Sequence, residues 1–210
     1  MRGFLRFAVW VIGILAVIGF VLHLTVIDTA LVADDDPTAS ASIEPTLHAG
    51  DRIFVFRKGA LKDGYLVRCG DPDAPGRHVI GRIGGTNGEA VQVVGGALSI
   101  NGKRVAAPRG CGTGTVMMRH PVTGADLKLE CHVEETAGTE HEFLTLAANT
   151  EVAKSVVETG KVYLVSDNRY LHLDSRDFGQ IDPATCQHIV YRLWGAAGYF
   201  DTSQRFTTLW

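Results

Sequence analysis

The chain has 210 residues, 46% of them hydrophobic and 20% charged, with a formal net charge of −3. That length allows one ordinary domain with an anchor or an inserted subdomain, and the hydrophobic share excludes disorder as the dominant state. There is no basic surplus to neutralise phosphates, which argues against a general nucleic-acid binder, and the four cysteines (Cys69, Cys111, Cys131, Cys186) form no C-x-x-C pair of the kind a structural zinc site uses.

The amino end reads as a membrane segment. Phe7 to Leu22 are sixteen uninterrupted apolar or glycine residues, and the stretch to Ile27 reaches 21. As a helix it would rise about 31 Å, close to one hydrocarbon core. A cleaved secretory signal has a shorter apolar region of roughly 7–15 residues with small residues at the cut. Here Leu31 spoils an Ala-x-Ala ending at Ala33, so a retained anchor is expected. Arg2 and Arg6 precede the segment, which puts the amino end in the cytoplasm and the rest of the chain outside.

On that side a disulfide can persist. Cys111 and Cys131 flank a hairpin-like pair, Thr115–His120 and Leu127–Val133, turned at Pro121–Gly124. A bridge between them would close a loop of about 21 residues, worth on the order of 3 kcal/mol in the chain-entropy account. Buried free thiols are the alternative. Cys69 and Cys186 are left over, and nothing in their spacing argues for or against a pair.

Beyond a polar linker from Asp34 to Ala41, the chain reads as β-rich. Strand-like runs fall at Arg52–Phe56, Tyr65–Cys69, His78–Ile83, Ala90–Val94, Ala97–Ile100, Val162–Val165 and His188–Leu193. Gly95-Gly96 between two alternating runs is a hairpin signal, and Asn101-Gly102 marks another tight turn. Helical periodicity is confined to a short stretch near Asn149–Glu158. Many short strands with glycine-rich turns favour one mostly antiparallel β architecture. Residues 109–154 differ in texture, with Thr, His and Glu scattered through them, and read as an insertion. The expected division is 1–27 as cytoplasmic tip and anchor, 28–41 as linker, 42–108 with 155–210 as β core, and 109–154 as an inserted β subdomain. The aromatic tail from Phe200 to Trp210 carries no motif and is expected either to pack on the core or to touch the membrane surface.

Some motifs lead nowhere. Gly84-Gly85-Thr86-Asn87-Gly88 lacks the following Lys-Ser/Thr of a phosphate loop. The eight histidines show no H-x-x-x-H or similar ligand spacing, so His120, His132 and His141 read as strand or surface residues, with no metal expected. No G-x-S-x-G elbow is present.

Two blocks carry the chemistry. The first is Ser40-Ala41-Ser42-Ile43-Glu44-Pro45-Thr46-Leu47-His48-Ala49-Gly50-Asp51. The second is Val162-Tyr163-Leu164-Val165-Ser166-Asp167-Asn168-Arg169, continued by Asp174-Ser175-Arg176 and Gly179. They resemble the serine box and the Gly-Asp-Asn-Arg…Asp-Ser-Arg box of type I signal peptidases in their bacterial form. A weaker likeness, His78 to Val105, is similar to that family's strand and hairpin ending in Ile-Asn-Gly-Lys. The resemblance implies a signal-peptidase-like antiparallel β core behind one amino-terminal transmembrane helix. It implies Ser42 as nucleophile, Ser40 as oxyanion-hole hydroxyl and Ser175 as the serine that bonds the general base. It further implies Asp174 and Arg176 as an ion pair beneath the site, Asp167, Asn168 and Arg169 as its scaffold, and Ile43 and Pro45 as substrate-binding residues. Pro45 would stiffen the loop presenting Ser42, and Ser40, two residues earlier, would face the same pocket in an extended chain.

One departure matters. The family's general base is a lysine placed directly before an arginine. Counting back without gaps from Ile100-Asn101-Gly102-Lys103 puts Arg82 on that arginine and Gly81 on the lysine. Glycine takes no proton, and arginine stays protonated. His78 is a substitute only if a β-bulge turns it to the same face as residue 81, since odd separation on a strand reverses the side. Lys103 and Lys154 are further substitutes. Ser166 also stands where the family has glycine.

Two functions follow as expectations. One is a serine endopeptidase anchored in the cell membrane, its catalytic-type domain on the periplasmic or extracellular side. It would remove signal peptides from exported preproteins without metal or organic cofactor. The other is a catalytically impaired homologue acting as a peptide-binding or surface-assembly factor. Partners are signal peptides and the lipid bilayer, with no nucleic acid.

Overall fold

The computed structural model describes residues 2–57, 59, 61–105, 109–136 and 138–209, with backbone alone for residues 2, 23–25 and 109. The expected boundary after residue 108, the side chain of Arg2 and the tail end Trp210 lie outside the described residues.

Helix α1 (Arg2–Thr25) contains a 20-residue stretch, Gly3–Leu22, long and apolar enough to cross a membrane, and none of it is buried against the rest of the protein. The helix stops short of the expected Ile27, because Ile27–Leu31 forms strand β1. β1 runs antiparallel to β2 (Arg52–Phe56), with Ile27 opposite Phe56 and Leu31 opposite Arg52. The polar stretch between them is not a plain linker. Asp36 caps a short helix, α2 (Pro37–Ser42), accepting from the N–H groups of Thr38 and Ala39, and Pro37 at its first position has no N–H to leave unpaired.

The strands that follow are β3 (Leu66–Gly70), β4 (His78–Thr86), β5 (Ala90–Val94), β6 (Ala97–Ile100), β7 (Lys103–Arg104), β8 (Arg109–Arg119), β9 (Asp126–Thr136), β10 (Thr139–Thr145), β11 (Val152–Val156) and β12 (Val162–Val165). After helix α3 (Ser175–Phe178) come β13 (Gln187–Trp194) and β14 (Thr207–Thr208). Every ladder between these strands is antiparallel.

Three sheets result. The main one runs β1-β2-β13-β3-β4-β12, with β14 added to β13; a second runs β11-β5-β6-β7; a third runs β10-β9-β8. Alternation in β2 turns Ile53 and Val55 inward, where they pack with Val32, Ile43, Leu47, Leu66, Ile189 and Leu209. The other face of β3 and β4 buries Val67, Cys69, Val79 and Ile83 against Val162 and Leu164.

Asn149–Glu158 is not helical. Val152–Val156 is extended and pairs with β5, so its apolar residues follow the strand period of two. Gly84 and Gly85 are strand residues at a close approach. A Cβ on Gly84 would lie 2.5 Å from Val165 Cγ2, and one on Gly85 would lie 2.4 Å from Val91 Cγ2. The bareness of Gly85 lets the second sheet pack onto β4, and that of Gly84 makes room for Val165 of β12. Gly95 and Gly96 turn the β5–β6 hairpin at φ values of 56° and 88°, which explains their pairing there.

Two disulfides tie the sheets. Cys111–Cys131 joins β8 to β9, and Cys69–Cys186 joins β3 to the segment entering β13 across 117 positions. In the chain-entropy account the long loop is worth about 5 kcal/mol and the short one about 3 kcal/mol. The double variant Cys69→Ser/Cys186→Ser is therefore expected to lower the denaturant midpoint more than Cys111→Ser/Cys131→Ser, as measured by circular dichroism on the detergent-solubilised chain.

Candidate active site

Ser42 ends α2, and its position is set from both sides. Behind it, Ile43 is wholly buried in the main core with Leu47. In front, the Asn168 N–H donates to the Ser42 carbonyl at 2.8 Å, joining the two sequence blocks across the fold. Thr46, four residues on, donates its hydroxyl to Asp167 Oδ2, and its carbonyl accepts from the Arg192 guanidinium.

The segment after β12 is the hub of these contacts. Asp167 accepts from Arg82 Nε at 2.8 Å, with both side chains buried, and Arg82 Nη1 also donates to the Gly64 carbonyl at 3.1 Å. Asn168 folds its Oδ1 back to accept from the Tyr170 and Leu171 N–H groups. Arg169 donates Nε to the Ser166 carbonyl at 2.6 Å and Nη1 to the Gly96 carbonyl at 2.9 Å, and its remaining nitrogen meets Glu134 on β9. Its guanidinium lies 4.7 Å from the centre of the Phe143 ring. β10 docks on the same segment through Leu144 N–H to the Asp167 carbonyl and Arg169 N–H to the Leu144 carbonyl, at 2.8 and 2.7 Å. The third sheet is thereby bonded directly to the segment that holds Ser42.

Asp174 caps α3 and takes a two-point grip from Arg176, Nε at 2.9 Å and Nη2 at 2.7 Å, plus the Ser166 N–H at 2.7 Å. Burial alone would raise its carboxyl. The bonds and charge of Arg176, with the Ser166 and Arg176 N–H groups, hold it below the ordinary carboxylate value instead. The ion pair implied between these two residues is thus fully bonded. Ser175 Oγ accepts from the Leu164 N–H at 2.8 Å, and Ser166 Oγ accepts from the Leu173 N–H at 3.2 Å.

Other candidate residues lie elsewhere than expected. Ser40 is on a helix, not an extended chain, and its hydroxyl donates to the Asp36 carbonyl. Ser42 Oγ donates to the Ala39 carbonyl at 2.8 Å. Ile43 is core, with no exposed surface to offer a substrate, and Pro45 is half-buried outside the described cavities.

Gly81 sits opposite Val67 in β4, where a Cβ would meet the Val165 carbonyl oxygen at 3.3 Å and Leu164 Cβ at 3.5 Å. The bulge that would turn His78 toward that position is absent. β3 and β4 pair in unbroken register from Leu66↔Arg82 to Gly70↔His78, and the irregularity on β4's other side falls opposite Ile83–Gly85. His78 instead borders a cavity of about 210 Å³ shared with Asp36, Ala39, Arg68, Ile80 and Leu173. Burial and then the charge of Arg68 push its imidazole below the ordinary histidine value. Lys154 shares a different cleft with Ser175 and Tyr163, and Lys103 a third with Asp63 and Thr136.

Glu134, His141 and Arg192 are buried parts of this network and Thr46 a half-buried one, and the sequence reading gave none of them a role in the site. Glu134 accepts from both Arg169 and His141. In β9 the inward residues are Leu129 and Cys131, then Glu134 and Thr136, so the alternation changes phase and hides the inward Glu134.

The buried position of Glu134 raises its carboxyl, but Arg169 and His141 outweigh burial and bring it to about 2 from an ordinary 4.5. His141 is pushed the other way from its charged form, by burial first and then by Arg82. A depressed carboxylate adds stability that is complete above its unfolded value and lost as pH falls toward its folded one. A histidine kept neutral by the fold also loses stability in acid, starting below its ordinary 6.5. Glu134→Gln is expected to destabilise the neutral protein by about 3–5 kcal/mol, because Arg169 stays buried without its carboxylate. It should also flatten the acid decline between pH 4.5 and 2. Thermal unfolding against pH reads both effects.

Comparison with known proteins gives a consistent answer. A family model described as "Signal peptidase, peptidase S26" matches residues 6–190. The chain is 30% identical over 146 residues to a signal peptidase I of Bacillus licheniformis, covering 67% of this chain and 65% of that protein. It is 30% identical over 141 residues to signal peptidase I T of Bacillus subtilis (strain 168), covering 65% of this chain and 60% of that protein. A signal peptidase I of Bacillus amyloliquefaciens is 36% identical over a shorter 72 residues, 32% of this chain and 37% of its own length. The chain spans somewhat under two thirds of the first two curated relatives.

Proposed function

The chain belongs to the signal peptidase family, and from that membership we propose that it is a membrane-anchored serine endopeptidase acting on the signal peptides of exported preproteins. α1 spans the cell membrane with its amino end in the cytoplasm, and the β core stands on the periplasmic or extracellular side. The apolar length of α1 and the two disulfides, which persist in oxidising compartments, support that placement.

The single observation that carries the reading is the hydrogen bond from Asn168 N–H to the Ser42 carbonyl. It joins the serine block to the Asp-Asn-Arg block, as a site built from both requires. In this reading the Ser42 hydroxyl leaves the Ala39 carbonyl, gives its proton to water because residue 81 offers no base, and attacks the scissile carbonyl. The C–N bond breaks, the mature chain leaves as a protonated amine, and water hydrolyses the acyl-serine. The Ser42 N–H and the Ser40 hydroxyl hold the oxyanion. The signal peptide adds as an extended segment along the cavity between α2 and β4, with Ile80 and Leu173 as its apolar lining. The third sheet, within the insertion at 109–154, buttresses the segment that positions Ser42.

A specific observation favours the second reading. Gly81 provides no base, and the unbroken β3–β4 register keeps His78 on the opposite face. Removing one member of a catalytic unit costs nearly as much as removing all of it, leaving about 10³–10⁴-fold over water from oxyanion binding and positioning. A chain with that deficit binds signal peptides and releases them uncut.

Cleavage of a preprotein by the detergent-solubilised chain, with Ser42→Ala alongside, separates the two. Slow cleavage lost in Ser42→Ala supports the peptidase. Binding without cleavage by either form, while an ordinary relative cuts the same preprotein, supports the peptide binder.

Gly81→Lys tests the pocket itself. Its Cβ meets the Val165 carbonyl at 3.3 Å, which a backbone shift of a few tenths of an ångström relieves. Ser175 has a free hydroxyl proton and lone pair to receive the new amine, since its one described bond is from Leu164 N–H. The variant is expected to cleave at least about 10²-fold faster than the natural chain, the usual worth of a positioned proton acceptor. A folded Gly81→Lys chain with no gain would show that the pocket around residue 81 no longer accepts a base.

A further inference from the structure

The peptide groove holds a cation without a carboxylate partner of its own. Arg68 on β3 lies opposite Ile80 of β4, and Gly70 lies opposite His78. Val67 and Cys69 turn to the other face, into the core. Arg68, Ile80 and His78 therefore share one face, and all three border the cavity of about 210 Å³ that Ala39 also lines. Ala39 is one helical turn from the proposed nucleophile, since its carbonyl accepts from Ser42 Oγ at 2.8 Å. A peptide side chain lodged in this cavity belongs to a residue close to the bond that Ser42 faces.

The acids of the cavity wall are committed. Asp36 pairs with Arg77 at 2.6 Å and caps α2. Asp71 accepts from the N–H groups of Asp73 and Ala74 in its own loop. Asp35, the remaining carboxylate, stands exposed on the rim, where water weakens its field.

Arg68 is placed differently. It is half-buried, and its described polar bond runs from Nη1 to the neutral Gln187 Oε1 at 3.1 Å. None of the ion pairs among the described residues includes it. Burial pushes its guanidinium below the ordinary arginine value, and Asp28, itself bonded to Arg57, offsets this only in part. Burial and then the charge of Arg68 hold His78 below its ordinary value, so at neutral pH the imidazole adds no second charge. A guanidinium presents five donors in a planar fork. Gln187 takes one, and the rest are left for a ligand.

We propose that Arg68 is a specificity residue of the groove, pairing with an acidic side chain, Asp or Glu, that the preprotein carries shortly before its scissile bond. The proposal rests on the reading of this cavity as the peptide groove. Small residues are the usual ending of a secretory signal; the carboxylate is a further mark, which restricts the chain to a subset of exported preproteins. The fork meets a carboxylate with two parallel N–H···O bonds, stronger and more directional than bonds between neutral groups. Pairing also relieves the burial of an uncompensated charge. The selection acts on binding, so it holds whether or not the bound peptide is cut.

The test is peptide binding to the detergent-solubilised full chain, read by fluorescence anisotropy. The probes are amidated, labelled peptides that span a signal-peptide cut with Ala at its small-residue positions. Asp, Asn or Lys is placed singly at each position from the second to the sixth before the cut. The expected result is one position at which the Asp peptide binds about tenfold tighter than its Asn and Lys counterparts. That advantage should shrink as salt rises, vanish in Arg68→Gln, and turn toward the Lys peptide in Arg68→Glu. Equal binding of Asp and Asn peptides at every position would overturn the proposal, and this comparison needs no variant to fold. A preference for Lys would overturn it too, naming Asp35 as the reader. An Asp preference that survives in a folded Arg68→Gln chain would place the recognition elsewhere. A photo-crosslinker beside the cut in the Asn peptide separates this failure from that of the groove. Crosslinks to Ile80 or Leu173 without an acidic preference leave the groove standing and remove the role of Arg68. Crosslinks only to residues outside the cavity remove both.

Discussion

The structure depends on four consecutive residues, Ser166 to Arg169, each without exposed surface. They leave the end of β12 and bond to nearly everything else. The Ser166 N–H donates to Asp174, Asp167 accepts from Arg82 and Thr46, the Asn168 N–H donates to the Ser42 carbonyl, and Arg169 donates to Glu134 and Gly96. Burying that many charges is tolerable only because each is paired and hydrogen-bonded, and removing one partner leaves the other stranded. The main sheet, the second sheet and the third sheet meet at this segment. Its rigidity is the physical basis for a fixed Ser42.

Much of this was legible in the sequence. The strands at Arg52–Phe56, Ala90–Val94 and Ala97–Ile100 lie where alternation puts them, because each has one buried face, and Val162–Val165, buried throughout, lies where its unbroken apolar run puts it. The two blocks named the residues that meet. What stayed hidden had local causes. Asp36 and Pro37 start a helix where Asp34–Ala41 reads as a polar linker, since capping contributes free energy that composition does not display. Val152–Val156 is too short for its period to separate helix from strand, and pairing with β5 decides the matter. Glu134 was invisible because β9 shifts phase beside it. The pairing of Cys69 with Cys186 follows from β3 and β13 being neighbours, which is a fact of topology and not of spacing.

The site presents an asymmetry. The framework around residue 81 is bonded throughout: Arg82 is held by Asp167, Asp174 by Arg176, and the Ser175 hydroxyl accepts from Leu164 N–H. Residue 81, the base position in the proposed reading, is bare. Gly81 is not demanded by the backbone, since no positive φ requires it and a Cβ there is crowded but not blocked. The chain therefore keeps a costly buried framework around a glycine that cannot itself take a proton.

The disulfides have a consequence for how the chain comes to exist. They are nested, with Cys111–Cys131 lying between Cys69 and Cys186. For a chain whose residues next to the anchor reach an oxidising compartment first, Cys69 emerges long before its partner. The next thiol to arrive is Cys111, so oxidation in order of arrival joins the wrong pair. The native connectivity needs either Cys69 sequestered early, as β3 closes on β4, or a later exchange of partners. Without that early closure, maturation depends on the thiol-exchange capacity of the compartment, independently of whether the serine ever cuts a peptide.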